Sequence, residues 1–292
     1  MIHAMRDSYQ ITELCEALGV SRSGFYAAAS RAQGPRAREN QELLEEMRSI
    51  HAHRHMRCYG SPRMTRELYD AGFPCSVNRT ARIMRAAGLR ARPRKPFRPK
   101  TTQPDHQACP SPNLLGQAAA PDAPGTQSVS DITYIPTREG WLYLAVVIDL
   151  FSRSILGWKL SESMRAQIVT DAITQAVDTG LLVSGSLFHS DRGCQYSAIA
   201  TRQMLSRLGL VQSMSAKGYC YDNAFAESAF ASIKNELLID GQPFETKAQA
   251  RNAVFDYLES FYNRKRLHSS LGYKSPSAFL KDYFENQNSS LN

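Results

Sequence analysis

The chain has no long apolar stretch. Its longest clean run, Trp141 to Ile148, is eight residues, whereas a membrane span needs about 20. The first 30 residues carry no apolar core of the signal-peptide kind. The expectation is a soluble, cytoplasmic protein with no membrane partner. Cysteine is sparse and scattered: Cys15, Cys58, Cys75, Cys109, Cys194 and Cys220, with no CxxC pair. That spacing argues against a disulfide framework and predicts reduced thiols. Acid is missing where base is densest, since Arg79 to Lys100 holds nine basic residues and no Asp or Glu. Residues 1–105 carry 19 Lys+Arg against 10 Asp+Glu, and residues 106–292 carry 16 against 17. The basic excess therefore sits in the first third and favours a polyanion, most simply nucleic acid. A merely solvated basic surface is the alternative.

The 292 residues suffice for two domains, or for one with smaller attachments. "ITELCEALGVSRSGFYAAASR" (11–31) reads as helix, turn, helix, with Ile11, Leu14 and Leu18 on one face and Ser21 as N-cap of the second helix. Arg22 and Ser23 open the helix that would face DNA. A second helical unit over about 39–90 ends in a helix capped by Ser76. There Val77, Ala81 and Met84 share one side, and Arg79, Arg82 and Arg85 form a basic stripe on another. Residues 93–124 hold eight of the 14 prolines and read as an extended linker. After it come strands over 131–137, 141–153 and 154–160, a helix over 164–180 and a fourth strand ending at Asp191. A helix over 197–209, a fifth strand over 210–215 and a long helix over 222–238 follow. A three-strand meander followed by strand–helix alternation predicts a mixed sheet covered by helices.

Three carboxylates can meet at one rim of such a sheet. Asp131 is expected to start the first strand and Asp191 to end the fourth. If those strands are parallel neighbours, both reach the same edge. Glu227 lies on the last long helix, flanking the apolar stripe Ala226, Phe230, Ile233 and Leu237. Lys234 follows about two turns later on the same flank. Clustered carboxylates repel one another unless cations sit between them. Oxygen-only ligands suit Mg²⁺ or Mn²⁺, and a pair of such ions can drive phosphodiester chemistry. Three unrelated surface acids would be the plain alternative.

Asp191 and Glu227 have 35 residues between them. With "DITYI", "HSDRGCQY", "KGYCYDNAFAESAF" and Lys234, this spacing resembles the D,D-35-E catalytic domain of transposases and retroviral integrases. It is most similar to the OrfB-type transposases of two-frame insertion sequences. "YGSPRMTRELYDAGFPCS" resembles their N-terminal helical region and "YNRKRLHSSLGYKSP" (262–276) their C-terminal motif, so the likeness runs from about residue 8 to 280. The resemblance implies an RNase H-like α/β fold, with a five-stranded sheet of order 3-2-1-4-5 and small all-α helix-turn-helix regions before it. It implies that Asp131, Asp191 and Glu227 are catalytic and hold two Mg²⁺ or Mn²⁺ ions. It implies cleavage of element ends and transfer of the freed 3′-OH strand to target DNA. The partners it implies are double-stranded DNA, further copies of the chain and a small helix-turn-helix OrfA-type protein. The corresponding division is a helix-turn-helix over 6–31, a second helical DNA-binding region over 39–92 and a Pro-rich linker over 93–127. A catalytic core over 128–240 and a C-terminal helical extension over 241–292 complete it. Where the family usually has Trp, Arg and an aromatic residue, this chain has Ser128, Ala216 and, near the third position, Ala119.

Other residues have two readings each. Arg94, Lys95, Lys217, Arg264, Arg266 and His268 are candidates for DNA contact, like Lys234, Arg22, Ser23 and the stripe at 79, 82 and 85; a plain charged surface is the alternative. His189 is either near the rim or a satisfied core histidine. Asp149 ends the most apolar strand and could look catalytic. His51, His53, His55 and Cys58 could suggest zinc, but alternate spacing spreads them over several helix faces. Two further functions stay open at this point: an RNase H-like nuclease that does not join strands, and a DNA-binding regulator with a weak catalytic domain.

Overall fold

A computed structural model describes residues 2–5, 8–30, 34–91, 111–215, 224–238 and 241–290. The basic N-terminal part is helical: α1 (Ile2–Met5), α2 (Ile11–Ala17), α3 (Arg22–Ser30), α4 (Pro35–Ala52), α5 (Ser61–Asp70) and α6 (Val77–Ala86). The expected caps form. Ser21 Oγ accepts from the Gly24 amide at 3.0 Å, and Ser76 Oγ accepts from the Arg79 amide at 3.2 Å. The buried side of α6 differs from expectation. Thr80, Ile83 and Met84 face inward against Leu43, Met47, Met64 and Leu68, while Val77 is 43% exposed. The face turns because α4 and α5 cover that side, with Thr80 hydrogen-bonded to Thr65.

The sheet consists of β1 (Gln127–Thr137), β2 (Gly140–Asp149), β3 (Ile155–Ser161), β4 (Leu187–Ser190) and β5 (Val211–Met214), in the order β3-β2-β1-β4-β5. The meander β1–β2–β3 is antiparallel, and β4 and β5 add in parallel. A parallel neighbour needs a crossover. Here α7 (Gln167–Asp178) lies between β3 and β4, while α8 (Cys194–Ser197) and α9 (Ile199–Arg207) lie between β4 and β5. β1 begins four residues earlier than expected, so Asp131 stands inside the strand. The Gln127–Ser130 extension is held by its pairing with β4.

Alternate residues of the strands feed two apolar layers. Val129, Ile135, Leu142, Leu144 and Val146 pack under α10 (Ala224–Leu237), α11 (Lys247–Phe255) and the π-helical turn Asp256–Tyr262. Ala145, Val147 and Phe188 pack under α7, α8 and α9. The C-terminal segment is thus integral to the core, through Phe244, Val254, Tyr257, Leu258 and Phe261, and α12 (Pro276–Ser290) follows it. Tyr59, from the helical N-terminal part, is fully buried in the same layer. Residues 111–126 are bound to the sheet as well. The amides of Leu114 and Leu115 donate to Ser213 Oγ, and the Met214 amide donates to the Pro112 carbonyl. Among the described residues, no helix is long and apolar enough to cross a membrane.

α7 rests almost directly on β3. A Cβ added at Gly157 would lie 2.1 Å from the Ala172 carbonyl oxygen and 2.6 Å from the Ala176 amide nitrogen. Both partners are backbone, so the helix would have to lift. Gly157→Ala should therefore destabilise the fold by about 1–3 kcal/mol, the usual cost of overpacking. Urea or thermal unfolding reads this directly, and an unchanged midpoint would show that α7 can shift freely.

Candidate active site

The parallel register of β1 and β4 pairs Ser130 with Ser190. Asp131 and Asp191 are the next residues along each chain, so they emerge side by side at one rim. Asp131 shares the strand face of Val129 and Ile135, on which α10 packs. Its Oδ1 accepts from the Ile132 amide at 2.7 Å. Asp191 turns the chain out of the sheet, with its Oδ1 accepting from the Gly193 amide at 2.9 Å. A Cβ at Gly193 would come within 2.9 Å of that oxygen, so the carboxylate occupies the space that a larger residue would need.

Tyr196 lies beneath the rim. It is buried, and its hydroxyl is hydrogen-bonded to Ser130 Oγ at 3.0 Å. Burial raises its pKa well above the usual tyrosine value, and the charges of Asp131 and Asp191 raise it further. The strand register, Ser130 opposite Ser190, is what brings the two aspartates to one end of the β1–β4 pair. Lys234 is a half-buried residue of α10, the helix that packs on β1. Burial lowers its pKa, and Asp131 acts in the opposite direction. Phe230, Ile233 and Leu237 anchor that helix in the core. Glu227 lies on its first turns, but its side chain is outside the described part. Among the described residues no three His, Cys, Asp or Glu side chains cluster as a metal site.

His189 is a satisfied core residue. Its Nδ1 is 2.8 Å from Ser213 Oγ and its Nε2 is 3.1 Å from Ser215 Oγ. Asp149 is a buried turn residue that accepts from the Gly125 amide, the Ser152 amide and Ser152 Oγ. His55 pairs with Asp256 at 3.0 Å, and Cys15, Cys58, Cys75 and Cys194 form no disulfide.

The candidate DNA contacts divide. Arg22, Ser23, Arg82, Arg85 and Arg264 are exposed. Arg79 is tied to α4, through Glu39 at 2.9 Å and Asn40 at 2.9 Å. Arg94, Lys95 and Lys217 lie outside the described residues, as does Ala216. Arg266 and His268 are corrected outright, because they are 3% and 8% exposed. Arg266 forks onto Glu236, with Nε to Oε2 and Nη2 to Oε1 both at 2.8 Å. Its Nη1 is 3.1 Å from His268 Nε2. Sequence reasoning missed Tyr196 and Glu236. Tyr196 was in sight within "HSDRGCQY", but nothing local marks a partnership between residues 30 positions apart.

The match to known proteins covers both parts of the molecule. Residues 121–220 and 208–276 match models described as integrase core domain, and residues 38–97 match an HTH-like domain. The chain is 38% identical over 272 residues to the insertion element IS600 uncharacterized 31 kDa protein of Shigella sonnei, covering 93% of this chain and 99% of that one. It is 40% identical over 283 residues to transposase InsF for insertion sequence IS3A of Escherichia coli K12, covering 96% and 95%. Among solved structures, the catalytic core domain of BIV integrase aligns at 17% identity and a TM-score of 0.40, covering 57% of this chain and 99% of that one.

The buried arginine gives a pH prediction. Burial, then the charges of Arg266, Arg63 and Arg153, push the His268 pKa down to about 2. In the unfolded chain the imidazole gains its proton below about pH 6.5. The stability that comes from keeping it neutral is complete above that pH and declines as pH falls toward the folded value. The slope is about 1.4 kcal/mol per pH unit from this group. His268→Gln should flatten the acid limb of a stability–pH curve by that amount, and an unchanged slope would refute the assignment.

Proposed function

The chain belongs to the insertion-sequence transposases with an integrase core, and from that premise we propose that it cuts element ends and joins the freed 3′-OH to target DNA. The observation that carries this reading is the β1–β4 register, which brings Asp131 and Asp191 to one end of the strand pair, with α10, the helix of Lys234, packed on β1. The donor set fits a hard divalent cation. It consists of carboxylate oxygens, oriented by backbone amides, and their mutual repulsion is relieved by a cation between them. Asp131 and Asp191, joined by Glu227, would hold two Mg²⁺ or Mn²⁺ ions. Such ions supply activation of an attacking oxygen and stabilisation of the leaving one.

The protein's own part is positioning and charge. Lys234 pairs with a DNA phosphate as a point charge, beside the carboxylates rather than among them as a ligand. Tyr196 keeps its proton and so adds no third negative charge under the rim. Its hydrogen bond to Ser130 ties the base of the site to β1. Gly193 leaves room for the Asp191 carboxylate to fold back over its own turn. Arg22 and Ser23 on α3, and Arg82 and Arg85 on α6, present the basic surface that holds duplex DNA sequence-independently. Further copies of the chain would bring the second element end.

Asp131→Asn, Asp191→Asn and Glu227→Gln should each abolish cleavage of end-containing DNA while duplex binding persists, because shape is kept and charge is lost. Substantial Mg²⁺-dependent cleavage by any one of them would remove that residue from the site. Strand transfer on a pre-cut oligonucleotide separates joining from nuclease action alone. Lys234→Ala should slow cleavage and lower the slope of log affinity against log salt by about 1, as expected for one lost phosphate contact. A wild-type slope and rate would assign the lysine to solvent.

A further inference from the structure

Glu236 is where three distant segments meet α10. Its side chain is only 3% exposed. Tyr257, from the π-helical turn, donates to Oε2 at 2.7 Å. Arg266, from the C-terminal loop, forks onto both oxygens. Arg63, from the first turn of α5, approaches Oε1 at 3.6 Å. The same junction is tied twice more. Cys58 Sγ donates to the Asn235 carbonyl at 3.5 Å, and the Leu267 amide donates to Tyr59 Oη at 3.2 Å. The Arg63 guanidinium also lies over the Tyr59 ring, 5.2 Å from its centroid.

The two arginines do different things. Arg266 is sealed in and bidentate, the strong geometry for a carboxylate. Arg63 is 22% exposed and its contact is long. Two cations share one carboxylate, so Arg63 is the one that yields. Around it the junction is not close-packed: a cleft of about 280 Å³ is lined by Arg63, Ser232, Asn235, Glu236, Ser269 and Tyr273. Beside the ties made by Cys58 and Tyr59, the ionic contact of Arg63 is the link from α5 itself to α10. α10 is also the helix of Glu227 and Lys234, and α5 belongs to the basic helical unit.

We propose that Arg63 is a positioning residue: through Glu236 it couples the basic helical unit to the pose of α10, and so to the placement of Glu227 and Lys234 at the rim. This rests on the proposed function for its effect on cleavage, but the mechanical tie stands on its own. Removing Arg63 leaves Glu236 held by Arg266 and Tyr257, so the fold survives. Removing Arg266 instead would strand a buried carboxylate, a change costly enough to unfold the region.

The test uses the full chain with Arg63→Leu and Arg63→Lys. It measures thermal unfolding, affinity for a duplex bearing the element's terminus, turnover on bound DNA, and amide hydrogen exchange. For Arg63→Leu the thermal midpoint and duplex affinity should stay near wild type. Exchange should rise in peptides of α10, and turnover should fall, each by roughly three- to thirty-fold, the range of coupling mutations. Arg63→Lys keeps the charge without the planar fork and should recover part of both. Wild-type exchange in α10 with wild-type turnover would overturn the proposal. So would a rise in exchange spread over the whole sheet with a lowered midpoint, which would mark Arg63 as a stability residue only. The exchange measurement needs no cleavage. A chain that never cuts DNA would sink the functional reading, and the tie would still be judged by exchange.

Discussion

The parallel pairing of β1 with β4 is the constraint on which the rim depends. Four residue pairs, from Gln127–Leu187 to Ser130–Ser190, fix where two carboxylates leave the sheet. A slip of one residue would turn every side chain of β4 to the opposite face. His189 would lose its two serines and Phe188 its apolar layer. The buried His189, held at both nitrogens by β5 and the residue after it, therefore acts as a register lock. The site's geometry is thus a by-product of a satisfied core, set before any ligand arrives.

The electrostatics follow from the same arrangement. Burial and the two aspartate charges raise the pKa of the Tyr196 phenol well above its usual value, and Lys234 is half-buried on the covering helix. Each carboxylate is oriented by a backbone amide, and α10 brings its cation in on a stripe of Phe230, Ile233 and Leu237. One flank of that stripe is held by Glu236, so α10 is fixed by apolar packing toward the sheet and by ionic contacts toward Arg266 and Arg63.

Much of this was legible in the chain. The strand order and the caps at Ser21 and Ser76 rest on local chemistry and on a resemblance carried by several ordered motifs. The failures share a cause. Arg266 and His268 stand in a run of basic residues that looks like surface, and only the fold brings Glu236 to them. The inward place of Thr80 on α6 is hidden in the chain because Thr80 is polar and its partner Thr65 is 15 positions away. The start of β1 was placed late because Gln127–Ser130 is not an apolar run; its pairing with β4 makes it strand. Periodicity reports what a residue prefers, whereas these positions are decided by what arrives opposite them.

The knot at Glu236 also has a schedule. A chain is synthesised from its N-terminus, and its parts collapse as they emerge. Arg63 and Glu236 leave the ribosome before Arg266, so for a time the carboxylate has its weaker partner without its stronger one. During that interval the Glu236 carboxylate lacks the guanidinium that forks onto both its oxygens. A chain cut short before residue 266 would lack that partner altogether, so the last tie of α10 forms only when synthesis is nearly complete.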